Sequence, residues 1–167
     1  MIALYIGRFQ PFHYGHLYVI QEIKSRFEVL YLGVGSSQYS YTVNNPFTFD
    51  ERKRMIEETL DYYKIENFII YGIPDIHNYP KWVDHVKSIV PSFNVIVSNN
   101  SITHKLFSEK NYQVKNTTIF KRHEYSGKEI RRRIINDESW EDLVPKQVYN
   151  IINEINGVER IKGCVKE

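Results

Sequence analysis

Cysteine is almost absent from this sequence: Cys164 is the single thiol in 167 residues, so no internal disulfide can form and the chain fits a reducing compartment. Long apolar runs are missing as well. No stretch of about 18 apolar residues is available to cross a bilayer, and no basic leader precedes a long apolar segment at residues 1–7. These absences point to a cytoplasmic location with no membrane partner. Nor does one sign of charge dominate. The 22 basic and 20 acidic residues leave a net charge of +2, too little to announce nucleic acid, so any basic site has to be local. The candidates are Lys121-Arg122-His123 and Arg131-Arg132-Arg133. The thirteen tyrosines are scattered rather than interleaved with a basic stripe, which reads as ordinary core and surface aromatics and not as a stacking platform for nucleic acid.

What is present is a globular composition, 42% hydrophobic and 25% charged, on a chain long enough for one domain that buries roughly 70% of its unfolded surface. Apolar runs at 2–6, 29–34, 67–71, 94–98 and 117–120 read as buried parallel strands and alternate with segments of helical period. Leu17, Ile20, Ile23 and Phe27 mark the first helix. Thr48-Phe49-Asp50-Glu51 is a capping box opening a second helix to about residue 62. A short helix follows Pro80 and another starts near Ser101. Ser126-Gly127-Lys128-Glu129 is a second capping box, for a helix through about residue 136, and Pro145 opens the last, to about residue 156. The series predicts one doubly wound α/β domain over residues 1–167, with helices on both faces of a mostly parallel sheet and a ligand crevice at the carboxyl ends of the strands.

Two segments carry chemistry. Gly7-Arg8-Phe9-Gln10-Pro11-Phe12-His13-Tyr14-Gly15-His16 follows the first strand and leads into the first helix. A helical first turn would aim His13 and His16 the same way, and Gly15 would let a phosphate approach the backbone. A helix N-terminus offers unpaired N–H groups and partial positive charge, so two imidazole donors there suit a triphosphate. The alternatives are two surface histidines, or a zinc site on the HxxH spacing, which lacks a nearby third ligand. The second segment is Tyr125-Ser126-Gly127-Lys128-Glu129-Ile130-Arg131-Arg132-Arg133. A hydroxyl, free backbone N–H groups and several cations meet at one helix start, as the outer phosphates of ATP would require, unless this is a capped surface helix with a solvated basic face.

GRFQPFHYGH and SGKEIR resemble the two motifs of the HxGH nucleotidyltransferases, and over nearly the whole chain the sequence is similar to the archaeal nicotinamide-nucleotide adenylyltransferase family. Gly35-Ser36-Ser37-Gln38, Asn45-Pro46-Phe47-Thr48 with Glu51-Arg52, Asp75-Ile76, Trp82-Val83 and the tail from Glu154 to Ile161 carry that resemblance. It implies a Rossmann-like fold, ATP and nicotinamide mononucleotide as substrates, Mg²⁺ assistance and a homo-oligomer that is often a hexamer. It further implies His13, His16 and Arg131 as catalytic groups. Gly7, Arg8, Phe9, Gln10, Gly15, Ser126, Lys128 and Arg131 would bind ATP, and Ser36, Gln38, Arg52, Asp75 and Trp82 the mononucleotide. Trp82 is the candidate to stack on the pyridinium ring, the competing role being a core tryptophan. Two positions depart from the family pattern: Lys128 replaces a threonine, and Asn99-Asn100-Ser101 replaces Gly-Asn-Pro. No tight pair of carboxylates suggests a metal cage, so no metal ligand is named and Mg²⁺ would be held by phosphate and water oxygens.

Overall fold

The computed structural model describes residues 1–118 and 121–166. Five parallel strands form one sheet in the order β3-β2-β1-β4-β5. They are β1 (Ile2–Gly7), β2 (Val29–Gly35), β3 (Phe68–Ile73), β4 (Val95–Val97) and β5 (Gln113–Lys115). Parallel strands demand crossovers, supplied by α1 (Tyr14–Lys24), α2 (Phe49–Tyr62), α3 (Tyr79–Ile89) and α4 (Ser101–Glu109). Helices α5 (Gly127–Ile135), α6 (Lys146–Glu154) and α7 (Gly157–Val165) follow the sheet.

Successive strand residues bury on opposite faces, as the pleat requires. Ala3, Leu30, Leu32, Val34, Val95 and Val97 pack in one core with apolar residues of α1, α2, α5, α6 and α7. Leu4, Tyr31, Ile73 and Ile96 pack in a second core under α3 and α4. This is the doubly wound arrangement read from the sequence, and its strand order reverses at β1, which pairs with β2 on one side and β4 on the other. The crevice therefore lies past the carboxyl ends of β1 and β4, where helices run to opposite faces.

The capping box at Thr48 forms in full: Thr48 Oγ1 accepts from Glu51 N at 3.1 Å and Glu51 Oε2 accepts from Thr48 N at 2.9 Å. The second forms only in half. Ser126 Oγ accepts from Glu129 N at 3.1 Å, but the Glu129 carboxylate binds Arg132 and Arg133 instead of reaching back. The fifth strand falls at Gln113–Lys115 rather than 117–120: Thr117 and Thr118 lie beyond it, and Ile119 and Phe120 lie outside the described residues. The expected last helix is two. Asn156 takes a left-handed φ of 55° and stops α6, and Gly157 starts α7, its Cα tight enough against Ile152 that an added Cβ would meet it at 2.8 Å.

Candidate active site

The turn between β1 and α1 is built around aromatic packing. Phe9 holds a left-handed φ of 54°, costly for a bulky side chain, and places its ring in the core at 1% exposure. There it meets His16 edge-on, with centroids 4.6 Å apart, while Phe12 stacks on the same imidazole at 5.5 Å. His13 and His16 stack on each other at 3.6 Å, so the helical spacing does bring the two rings together. His16 Nδ1 accepts from His13 N at 3.2 Å, which leaves Nε2 to carry the proton of the neutral ring.

Burial decides the charge of both rings. It lowers the His13 pKa to about 3, and it lowers that of His16 well below the usual value, with His13 adding to the effect. At neutral pH both are uncharged donors. His13 Nδ1 is buried and has no hydrogen-bond partner among the described residues. The space left by Gly15 is used by the protein itself: a Cβ there would meet the His13 ring at 2.9 Å and Tyr125 Cβ at 3.0 Å. Gly15 thus makes room for ring packing, and it also lines the smaller of the two cavities described below.

Two cavities open at the crevice. One, of about 310 Å³, is lined by His13, Gly15, His16, Tyr125, Ser126 and Gly127 among others, and no carboxylate is among its described walls. The other, of about 540 Å³, is lined by Arg8, Ser36, Asp75, His77, Asn78 and Trp82 among others. They share Ile6, Gly7, Ser98 and Asn100. Trp82 is half-buried, packed on the second core on one side and facing the larger cavity. Arginines gather near the crevice, close enough for Arg8 to act on both Arg131 and Arg52. Burial lowers Arg131 to about pKa 10 with Arg8 contributing, and Arg52 to about 10 by the same two causes, partly opposed by Glu51. Guanidinium groups brought this close repel one another, and an anion between them relieves the repulsion.

The cytidylyltransferase-like family matches residues 4–133. A nicotinamide-nucleotide adenylyltransferase of Methanococcus aeolicus is 46% identical over 164 residues, covering 97% of this chain and 94% of that one. The enzyme of that name from Thermoplasma volcanium is 41% identical over 160 residues, covering 96% and 90%. The chain belongs to the nicotinamide-nucleotide adenylyltransferase family. Among solved structures, a bifunctional NMN adenylyltransferase/ADP ribose pyrophosphatase from Francisella tularensis, complexed with AMP and Mn ion, superposes with TM-score 0.83 at 26% identity. The match covers 99% of this chain and 52% of that one, so this chain spans about half the length of the bifunctional protein.

Within this adenylyltransferase framework several side chains expected at the ligand are engaged elsewhere. Phe9 is core. Gln10, 2% exposed, donates from Nε2 to Phe47 O at 3.0 Å and accepts at Oε1 from Phe47 N at 2.9 Å, clasping the β2–α2 loop. Gln38 does the same for the Asp75 peptide, donating to its O at 2.8 Å and accepting from its N at 2.9 Å. Arg52 is wholly buried among carbonyls. Of the arginine triplet only Arg131 turns inward, donating from Nη1 to Gln10 O at 2.6 Å. Arg132 is bound by Glu129 and Glu138, and Arg133 by Glu129 and the Ser139 carbonyl, because their positions on α5 face solvent. Lys128 is exposed on the first turn and is not among the described cavity walls.

Other residues at the site are named in the sequence segments above but were given no role there. Asn99 donates to Thr117 Oγ1 and accepts from Thr117 N, both at 2.8 Å, tying the exit of β4 to the segment after β5. Asn100 Oδ1 caps α4 through Ile102 N and Thr103 N at 3.0 Å. The departure from Gly-Asn-Pro thus forms a braced cavity wall. Arg122 and Tyr125 also line the smaller cavity; the basic cluster at 121–123 was the one available signal for Arg122.

Proposed function

We propose that the chain transfers the adenylyl group of ATP to nicotinamide mononucleotide, forming NAD and releasing pyrophosphate, as a step of NAD biosynthesis in the cytoplasm. The observation that carries this reading is the pair of cavities with a shared wall at Ile6, Gly7, Ser98 and Asn100, paired neutral imidazoles on one side and an indole with a carboxylate on the other. Family membership supplies the substrates. The smaller cavity takes the triphosphate and the larger one the mononucleotide, so the α-phosphorus and the acceptor oxygen meet at the shared wall.

The acceptor is a phosphate monoester with a second pKa of about 6, already ionised at neutral pH, so no general base is needed. His16 Nε2–H and His13 act as donors to the transferring phosphoryl group and the departing pyrophosphate, a task suited to groups that stay neutral and fixed. Arg131 and Arg8 stabilise the charge that accumulates on the leaving group. The α5 N-terminus, at Ser126 and Gly127, offers backbone N–H groups to the outer phosphates, and Lys128 adds a cation from its rim. Gly7 brings the backbone close to both substrates. Trp82 stacks on the pyridinium, and Ser36 and Asp75 border the mononucleotide. Phe9, Gln10, Gln38 and Arg52 shape these walls without touching the nucleotides.

No three His, Cys, Asp or Glu side chains converge among the described residues, so this donor set does not form a cation cage. A divalent ion, Mg²⁺ by the family resemblance, is proposed to arrive with ATP and to be held by phosphate and water oxygens. We also propose a homo-oligomer, the hexamer that the resemblance implies, which light scattering would measure. No helix of the described residues is long and apolar enough to cross a membrane, and neither a membrane nor nucleic acid is proposed as a partner. The direct test is pyrophosphate release from ATP and Mg²⁺ with and without nicotinamide mononucleotide, with chromatography of the product. Dinucleotide formation dependent on both substrates is expected; folded protein that releases no pyrophosphate with this acceptor would refute the assignment.

A further inference from the structure

Arg52 lies on the second turn of α2 with none of its surface exposed. Its guanidinium binds only main-chain carbonyls. Nε donates to Thr48 O at 3.2 Å, Nη1 to Arg8 O at 3.0 Å and Gly35 O at 2.9 Å, and Nη2 to Ser36 O at 3.2 Å and Tyr39 O at 3.5 Å. A guanidinium has five N–H donors in a fixed planar fork, and each of them is directed to a carbonyl. None remains for a substrate.

The carbonyls lie where β1 and β2 part, just past their last paired residues, Gly7 and Val34. Arg8 opens the turn leaving β1, Gly35 ends β2, and Ser36 and Tyr39 lie in the turn that follows it. Arg8, Gly35 and Ser36 line the larger cavity, and Gly7, next to Arg8, lines both. Ser36 holds a left-handed φ of 47°, a conformation that costs energy in a residue with a Cβ and is held here with its carbonyl on Arg52. The guanidinium therefore lies behind the wall of the larger cavity, one residue from the shared Gly7, and its rigid fork spaces one turn from the other. A buried cation surrounded by carbonyl oxygens is costly to assemble, and burial shifts its pKa down to about 10, with Arg8 adding to the shift and Glu51 opposing it. It stays protonated at neutral pH.

We propose that Arg52 is a positioning residue for adenylyl transfer: it fixes the spacing of the β1 and β2 exit turns, and with it the alignment of the acceptor oxygen on the α-phosphorus, without contacting either substrate. This rests on the adenylyl-transfer reading above. Arg52→Lys separates charge from geometry, because lysine keeps the cation but presents three donors from a single point in place of a planar fork. The lysine variant should lose roughly 10²-fold in kcat, the scale of a misalignment of about 1 Å, with much smaller changes in both KM values. Affinity for a non-hydrolysable ATP analogue alone, measured by calorimetry, should also fall, since the β1 exit turn carries ATP-side contacts. A loss confined to the KM of nicotinamide mononucleotide, with unchanged binding of the analogue, would make Arg52 a direct acceptor contact and overturn the proposal, as would wild-type kinetics in a folded lysine variant. Arg52→Ala provides a second measurement: methylguanidinium added to the assay should restore part of kcat. No recovery in a folded alanine variant, or failure of both variants to fold with and without the additive, would leave Arg52 a folding residue only. The calorimetric arm uses no acceptor, so it remains decisive even if wild-type protein makes no dinucleotide, an outcome that would refute the transfer reading instead.

Discussion

The two cavities at the crevice are built on different plans. The smaller cavity takes its two imidazoles from one continuous turn and its other walls from the start of α5, the ends of β1 and β4 and the segment after β5, and its described walls carry no carboxylate. The larger cavity is assembled from the ends of β1, β2, β3 and β4 and from α3 and α4, and it includes Asp75. The first is held by local packing: Phe12 and His13 stack on His16 and Phe9 meets it edge-on, all within one turn. The second is held by amide clasps between distant loops. Gln38 binds the Asp75 peptide, Tyr39 Oη meets His77 Nε2 at 2.7 Å, and His85 Nε2 meets Pro74 O at 2.8 Å. A site for charge in transition needs fixed dipoles, whereas a site for ring recognition tolerates an assembled rim.

If that contrast holds, damage to the first cavity should appear in turnover and damage to the second in acceptor affinity. The largest effect is expected from His16→Ala, which removes a half-buried donor at the transferring phosphoryl group: kcat should fall by roughly 10²–10³-fold, with a Tm decrease of several degrees because Phe9, Phe12 and His13 pack on the ring, read by pyrophosphate release and thermal melting. Wild-type turnover would make the ring structural. Trp82→Ala should spare kcat and raise the KM of nicotinamide mononucleotide by roughly 2- to 30-fold, the range of a cation–π contact; an unchanged KM would remove the stacking role.

The pH dependence of stability sharpens the contrast further, because both imidazoles line the smaller cavity. The folded pKa of His13 lies below its unfolded value of 6.5, at about 3. Between those values the unfolded chain binds the extra proton, so the stability is complete above pH 6.5 and is lost as pH falls toward 3. The Tm should decline over that interval, and His13→Asn should flatten the decline. An equal decline in the variant would place the titration elsewhere.

The smallest effect concerns α7. Arg160 donates to Glu51 Oε2 at 2.6 Å and Oε1 at 2.8 Å, both side chains being mostly buried, and lies 4.1 Å over the Tyr41 ring. Arg160→Ala should cost about 2 kcal/mol, or a Tm decrease of several degrees for a domain of this size. An unchanged melting curve would show that α7 adds nothing to the hold on the β2–α2 loop.

Local pattern alone established most of the architecture. The alternating apolar runs, the capping box at Thr48 and the contiguous GRFQPFHYGH turn are written in neighbouring residues, and each formed where its spacing required, because strand period and helix caps depend on interactions within a few positions of the chain. The weak strand was placed several residues late, and α7 was missed although Asn156-Gly157 is a helix stop, since that signal was read only as part of a resemblance. What tertiary structure decided was the use of each polar side chain. Arg131 turns inward while Arg132 and Arg133 face solvent, because only one of three consecutive helical positions can point at the crevice. Gln10, Gln38 and Arg52 look like ligand contacts by residue type and position, yet their donors are taken by carbonyls that, apart from Thr48 O beside Arg52, lie 13 to 44 residues away. A buried hydrogen-bonding group must be satisfied by whatever the fold brings beside it, and that neighbour is set by the crossing of strands and helices, not by adjacent sequence.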